Sequence, residues 1–185
     1  MTYLWKLVLI PAALSLSLLL SLACGGDGEK EPEAGVGITA VAVIMDAAGE
    51  TLGTVTLTQG PQGVLVSAEL RGRPPGGHGF HIHETGACAP DFSAAGSHFN
   101  PTDQTHGFLF STGQHAGDLP NLYVAADGTV RADVFTNDIS LAGDDDRSLF
   151  DDDGSAVIIH EKADAYGEDS GPAGGRIDCG VIERS

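Results

Sequence analysis

Seven histidines offer the most chemistry in this chain: His78, His81, His83, His98, His106, His115 and His160. Five fall between positions 78 and 106, and the sixth follows nine residues later. A solvated acidic surface gives no reason for such crowding. Imidazole is the commonest metal ligand and suits zinc and copper. A lone histidine is more often a hydrogen-bonded structural residue, but that reading does not explain the whole set. His81-Ile82-His83 is an i, i+2 pair, and in a strand both rings stand on one face. His160 closes another apolar run, Val157-Ile158-Ile159, where a neighbouring strand could present it to the first pair. His98, His106, His115 and Asp118 are separated by 8, 9 and 3 residues in a long loop. Three imidazoles and a carboxylate form a plausible tetrahedral zinc site.

The elements that must position these residues read as strands. Segments 38–46, 52–58 and 63–70 are rich in β-branched residues and bounded by Gly, Pro, Asp or Gln. Segment 79–84 (GFHIHE) makes a fourth strand, 155–161 a seventh and 178–183 an eighth. Segments 121–125 and 129–135 flank Ala126-Asp127-Gly128, a hairpin signal. No stretch has helical periodicity. Eight short strands with turn signals predict an all-β sandwich or barrel. The connections 85–120, 136–154 and 162–177 are long, and loops of this length are usually functional.

The flanks and composition bound the setting. Residues 1–23 read as a secretory signal: Lys6 is the basic n-region and Leu7 to Ala23 the apolar stretch. Cys24 follows Ala23 and precedes a Gly-rich segment, as at a bacterial lipoprotein cleavage site, although Ser21 stands where Leu is usual. Residues 24–36 are then a lipidated cysteine and flexible linker, and 37–185 the globular domain. Acylation of Cys24 would tether the domain to a membrane surface. It would also leave Cys88 and Cys179 as a candidate pair in an oxidising compartment. The net charge of −17, from 9 Lys+Arg against 26 Asp+Glu, excludes a basic nucleic-acid binder. Monomer and homodimer both remain open.

The segments GFHIHE (79–84), AGSHFNP (95–101), HAGDLPN (115–121), HEKAD (160–164) and GGRIDCGV (174–181) resemble, in order, those of the copper/zinc superoxide dismutases. The resemblance spans about 37–182. It implies an eight-stranded Greek-key β-sandwich or flattened barrel with long metal-binding loops. It implies copper on His81, His83, His98 and His160, and zinc on His98, His106, His115 and Asp118, with His98 shared. Cys88 and Cys179 match the intrasubunit disulfide. Arg176 matches the arginine that attracts the anionic substrate, superoxide. Asp164 matches the carboxylate linking the two metal sites, and His78 a structural histidine under the copper site. A second reading is a copper-buffering lipoprotein on the same sandwich, since fold alone does not fix function.

Two departures from the pattern stand out. The loop from His160 to Arg176 is shorter than in the familiar eukaryotic enzymes, and beside Lys162 it carries Glu161, Glu168 and Asp169. Electrostatic guidance then rests on Arg176 and Lys162, and a modest fall in rate with added NaCl is expected. Segment 142–154 is longer than usual and holds six aspartates, which read as a solvated loop.

Overall fold

The computed structural model describes residues 35–143, 145–169 and 171–185. The expected signal, Cys24 and nearly all of the linker lie outside those residues. Among the described residues no helix is long and apolar enough to cross a membrane.

Eight strands form: β1 (Thr39–Asp46), β2 (Thr51–Gly60), β3 (Gly63–Leu70), β4 (Gly76–His83), β5 (Asp118–Val124), β6 (Val130–Thr136), β7 (Ala156–His160) and β8 (Arg176–Arg184). They lie in one sheet in the order β5-β4-β7-β8-β1-β2-β3-β6, and every ladder is antiparallel. The first and last strands of that order are consecutive in sequence, so the sheet curls into a nearly closed barrel.

Strand alternation builds the core. Ala40, Ala42 and Ile44 of β1 point inward, as do Val64, Val66, Ala68 and Leu70 of β3. Phe80 and Ile82 of β4 and Val157 and Ile159 of β7 join them. Burying each of the Val, Leu, Ile and Phe side chains among them contributes roughly 1.5–3 kcal/mol. β4 and β7 differ from the rest because their outer faces are buried too. Long connections cover them, and that outer face carries His81 and His83.

Three local expectations change. The turn at 126–128 forms, with the Ala125 N–H donating to the Thr129 carbonyl at 2.9 Å. It does not make a hairpin ladder, because β6 pairs with β3 along seven residues while β5 pairs with β4. Asp118 opens β5 rather than lying in the loop, and pairs with His81. Arg176 likewise opens β8, two residues earlier than the apolar pattern suggests.

The connection between β4 and β5 is more ordered than a plain loop. A 3-10 turn spans Phe92–Ala95, capped by Asp91. The Ile82 N–H donates to the Gly117 carbonyl and the Phe99 N–H to the Ile82 carbonyl, so the connection is laced to the end of β4. Gly117 has no room for a side chain: a Cβ there would lie 2.2 Å from the Ile82 carbonyl oxygen. Cys88 and Cys179 are disulfide-bonded and anchor the same connection to β8.

Candidate metal centre

The strand pairing gathers the histidines. His81 and His83 alternate with core-facing Phe80 and Ile82, and so share the outer face of β4. His81 lies opposite Ile158, and His160, after a bulge, falls on the same side at the end of β7. Gly79 leaves space between them: a Cβ there would stand 3.2 Å from the His160 Cβ and 3.3 Å from the His81 ring. The segment that follows the 3-10 turn brings His98 against His83 through an isolated antiparallel bridge.

Two groups of donors result, each with its ligand atoms within 4.8 Å of one another. The first is His81, His83, His98 and His160, and the second His98, His106, His115 and Asp118. His98 belongs to both.

In the first group, hydrogen bonds decide which ring nitrogen carries the proton. His83 Nδ1–H donates to the Gly96 carbonyl at 3.0 Å. His160 Nδ1–H donates to the Gly174 carbonyl at 3.1 Å. His81 Nε2–H donates to Asp164 Oδ2 at 2.9 Å. Carbonyls and ionised carboxylates only accept, so the opposite nitrogen of each neutral ring holds a lone pair. Those atoms, His81 Nδ1, His83 Nε2 and His160 Nε2, are buried without a protein partner. Burial pushes the His81 pKa down to about 4 and that of His83 to about 2, and lowers His160 as well. The lone pairs are therefore free of protons at neutral pH, as metal ligation requires.

The second group centres on Asp118. Its Oδ1 lies 2.7 Å from His98 Nδ1 and 3.4 Å from His115 Nδ1. Its Oδ2 lies 3.0 Å from His106 Nδ1 and accepts the Gly107 and His115 N–H groups at 3.0 and 3.1 Å. Burial works against the charge of Asp118, but the bonds from the three imidazoles outweigh it and hold its pKa far below the usual carboxylate range. Burial works against the protonation of His106 too, and Asp118 and Asp164 outweigh it, raising that pKa. Three ring nitrogens and one carboxylate match the donor set of a tetrahedral zinc ion.

Asp164 joins the groups. Besides accepting from His81, its Oδ2 lies 2.9 Å from His106 Nε2, a close ionic contact whose angle falls short of a hydrogen bond. His81, His106 and Asp164 converge as a third set. The nitrogens that meet Asp164 are the ones turned away from the two donor groups, so this set reads as a link between them. Burial opposes the charge of Asp164, yet the bond from His81 leads the effects that hold its pKa at about 2.

Arg176 stands beside the first group. Its guanidinium donates to the carbonyls of Phe92 and Gly96 at 2.7 and 2.6 Å. The Gly96 carbonyl thus serves both Arg176 and His83. His78 lies apart, with Nδ1 2.8 Å from the His160 carbonyl oxygen and Nε2 3.2 Å from that of Pro74. The structure brings the seven expected ligands, Asp164 and Arg176 together, places His78 beneath His160 and joins Cys88 to Cys179, while Cys24 lies outside the described residues. Asn121 and Tyr166 are additions that the sequence reading missed. Both bond to Asp164; Asn121 lay within the motif segment HAGDLPN, and Tyr166 within the long 162–177 connection but outside any motif segment.

The chain is similar to known proteins. The family model described as copper/zinc superoxide dismutase matches residues 51–182. A Cu-Zn superoxide dismutase of Caulobacter vibrioides is 42% identical over 149 residues, 78% of this chain and 86% of that protein. The Cu-Zn superoxide dismutase 2 of Aquifex aeolicus is 42% identical over 146 residues, 77% and 85% of the two chains. Among solved structures, a superoxide dismutase-like protein of Bacillus subtilis superposes with a TM-score of 0.72 at 41% identity, covering 76% of this chain and 96% of its own.

Proposed function

The chain belongs to the copper/zinc superoxide dismutase family, and on that premise we propose that His81, His83, His98 and His160 hold copper while His98, His106, His115 and Asp118 hold zinc. The reaction is the dismutation of superoxide, 2 O2⁻ + 2 H⁺ → O2 + H2O2. One observation carries the residue assignment: three buried imidazole lone pairs converge with no protein partner, each fixed by a hydrogen bond on the far side of its ring. Bound copper supplies the one-electron couple, and zinc, which has no redox chemistry, a fixed positive charge.

The protein's own groups do the rest. His81 and His83 are held by the β4 ladders and His160 by β7, so their rings need little reorganisation. His98 has Nδ1 committed to the Asp118 side, which leaves Nε2 to face the first group and to hold and deliver a proton. Arg176 is catalytic in the electrostatic sense: its guanidinium, fixed by two carbonyls, attracts and orients the anion. The chain is strongly acidic, yet at 0.15 M salt charges are screened beyond about 8 Å. A local cation in a cleft therefore governs the final approach. Asp164 orients His81 and His106, and His78 braces the backbone of His160 from beneath.

The test is superoxide removal by protein loaded with copper and zinc. His160→Ala should lose copper and nearly all activity. Arg176→Ala should keep both metals and lose about tenfold in rate, the low end of what electrostatic steering contributes. Parental rates in both variants would overturn the assignment. The disulfide supports export, because such bonds persist in oxidising compartments. The signal at 1–23 and acylation of Cys24 complete that reading. Cys24→Ala should free the protein from membranes, and unchanged partitioning would remove the anchor.

A further inference from the structure

We propose that Tyr166 is a positioning residue for the zinc end of the site: it sets the Asp164 carboxylate that holds His106. This rests on the assignment of His98, His106, His115 and Asp118 to zinc.

Tyr166 sits at φ +59°, in the left-handed region. A bulky residue there is a genuine outlier, and such outliers persist only where their surroundings impose them. Asp103 is the only other non-glycine residue with positive φ among those described. Four contacts hold Tyr166 in place. Its N–H donates to Asp164 Oδ1 at 2.8 Å. Its phenol oxygen accepts the Asn121 N–H at 2.7 Å. Its carbonyl accepts the Leu109 N–H at 3.2 Å. Its ring packs on Phe108 with centroids 5.2 Å apart.

These contacts join three segments that also carry residues of the metal centre. Phe108 and Leu109 directly follow His106 and Gly107. Asn121 is in β5, three residues after Asp118. Asn121 also clamps the Asp164 backbone from both sides: its Nδ2 donates to the Asp164 carbonyl at 2.9 Å, and its Oδ1 accepts the Asp164 N–H at 2.7 Å. With Oδ1 taken by the Tyr166 N–H, Oδ2 is the oxygen presented to His81 and His106, 2.9 Å from each. Tyr166 thus selects the carboxylate face that meets the rings. The two rings depend on it unequally. His81 lies within β4, paired on both sides, whereas His106 lies in a connection. The zinc end should feel the loss of Tyr166 more than the copper end.

The experiment uses the full chain stripped of metal. Zinc affinity is read by competition with a chromophoric chelator, and Co²⁺ in the zinc site reports geometry through its visible spectrum. Tyr166→Phe, which removes only the phenol oxygen, should weaken zinc about tenfold, as changes behind a metal ligand do, and shift the cobalt bands. Copper affinity should stay within about twofold. In an Asp164→Asn background the same change should weaken zinc no further, because residues acting through one another are not additive. Zinc affinity of Tyr166→Phe within about twofold of the parent, with or without a lower melting temperature, would overturn the inference. So would a full tenfold loss on top of Asp164→Asn. Asp118→Ala separates the two levels. Unchanged zinc affinity there sinks the zinc assignment itself. Loss of zinc in Asp118→Ala beside a parental Tyr166→Phe sinks only the role of Tyr166.

Discussion

Among the described residues, the barrel buries polar groups without hydrogen-bond partners in two main places, and they mean different things. On the outer face of β4 and β7, the orphan atoms are ring nitrogens of His81, His83, His106 and His160. Around the other, Arg73 Nε and both oxygens of Asp178 have no hydrogen bond. Asp178 pairs with core-facing Ile159 and so points into the barrel. Arg73 lies 3.5 Å from Asp178 and 3.5 Å from Asp46, too far for good hydrogen bonds. At the candidate metal centre each orphan lone pair of the first donor group is aimed by a bond across its own ring, and several converge. At the Arg73 cluster two carboxylates flank one guanidinium, but no hydrogen bond aims the orphan atoms at a shared point. Burial pushes the Asp178 pKa up to about 6 even though Arg73 works against the shift. An unpartnered buried atom therefore points to function where neighbours orient it toward a shared point, and to a stability cost where they do not.

The largest expected effect tests the first half of that contrast. Asp118→Ala should reduce zinc affinity by more than about 100-fold, beyond the 10–100-fold range of changes behind a ligand. Zinc should then no longer raise the melting temperature, because only a ligand that binds the folded state stabilises it. Asp164→Asn comes next. An amide has one acceptor oxygen: if that oxygen faces the two rings its NH2 meets the Tyr166 N–H, and if it turns round its NH2 meets the rings, so zinc affinity should fall about 10–100-fold with the fold intact. A smaller effect for Asp118→Ala than for Asp164→Asn would break the distinction between ligand and link.

Asp178→Asn tests the second half, and its sign is opposite. The folded-state pKa of about 6 exceeds the ordinary 3.8, so the folded protein holds its proton more tightly. The stability associated with that proton is fully present below about pH 3.8 and is lost as pH rises through about 6. At pH 7.5 the parent carries the penalty of a buried charge. His78, Asp46 and Arg73 are the charged or titratable groups acting on it. The substitution removes the charge, and the new side chain can still face Arg73 through its amide oxygen. Urea unfolding should show the variant more stable at pH 7.5, by on the order of 1–3 kcal/mol, with the gain shrinking toward pH 4.5. A loss of stability at pH 7.5 would mean that the Arg73 pair is worth more than its burial costs.

Much of the candidate metal centre was legible in the chain. The period of two in GFHIHE placed His81 and His83 on one face, because strand geometry is local. The apolar run before His160 identified a strand end, and the Gly-rich turns marked an all-β fold. The order of the five motif segments carried the family. The structure alone decided what depends on distant partners. Asp164 meets His81 across 83 residues of sequence, and the Gly96 carbonyl meets Arg176 across 80. No local pattern sets which oxygen of Asp164 faces the rings, since Tyr166 and Asn121 reach it from different segments. The turn at 126–128 read as a hairpin because turn chemistry is local, whereas strand pairing is a competition: β3 claimed β6 and β4 claimed β5. Residue types declare which chemistry is available, but only the nearly closed barrel, by bringing remote carbonyls and carboxylates against the rings, decides which nitrogen keeps its lone pair.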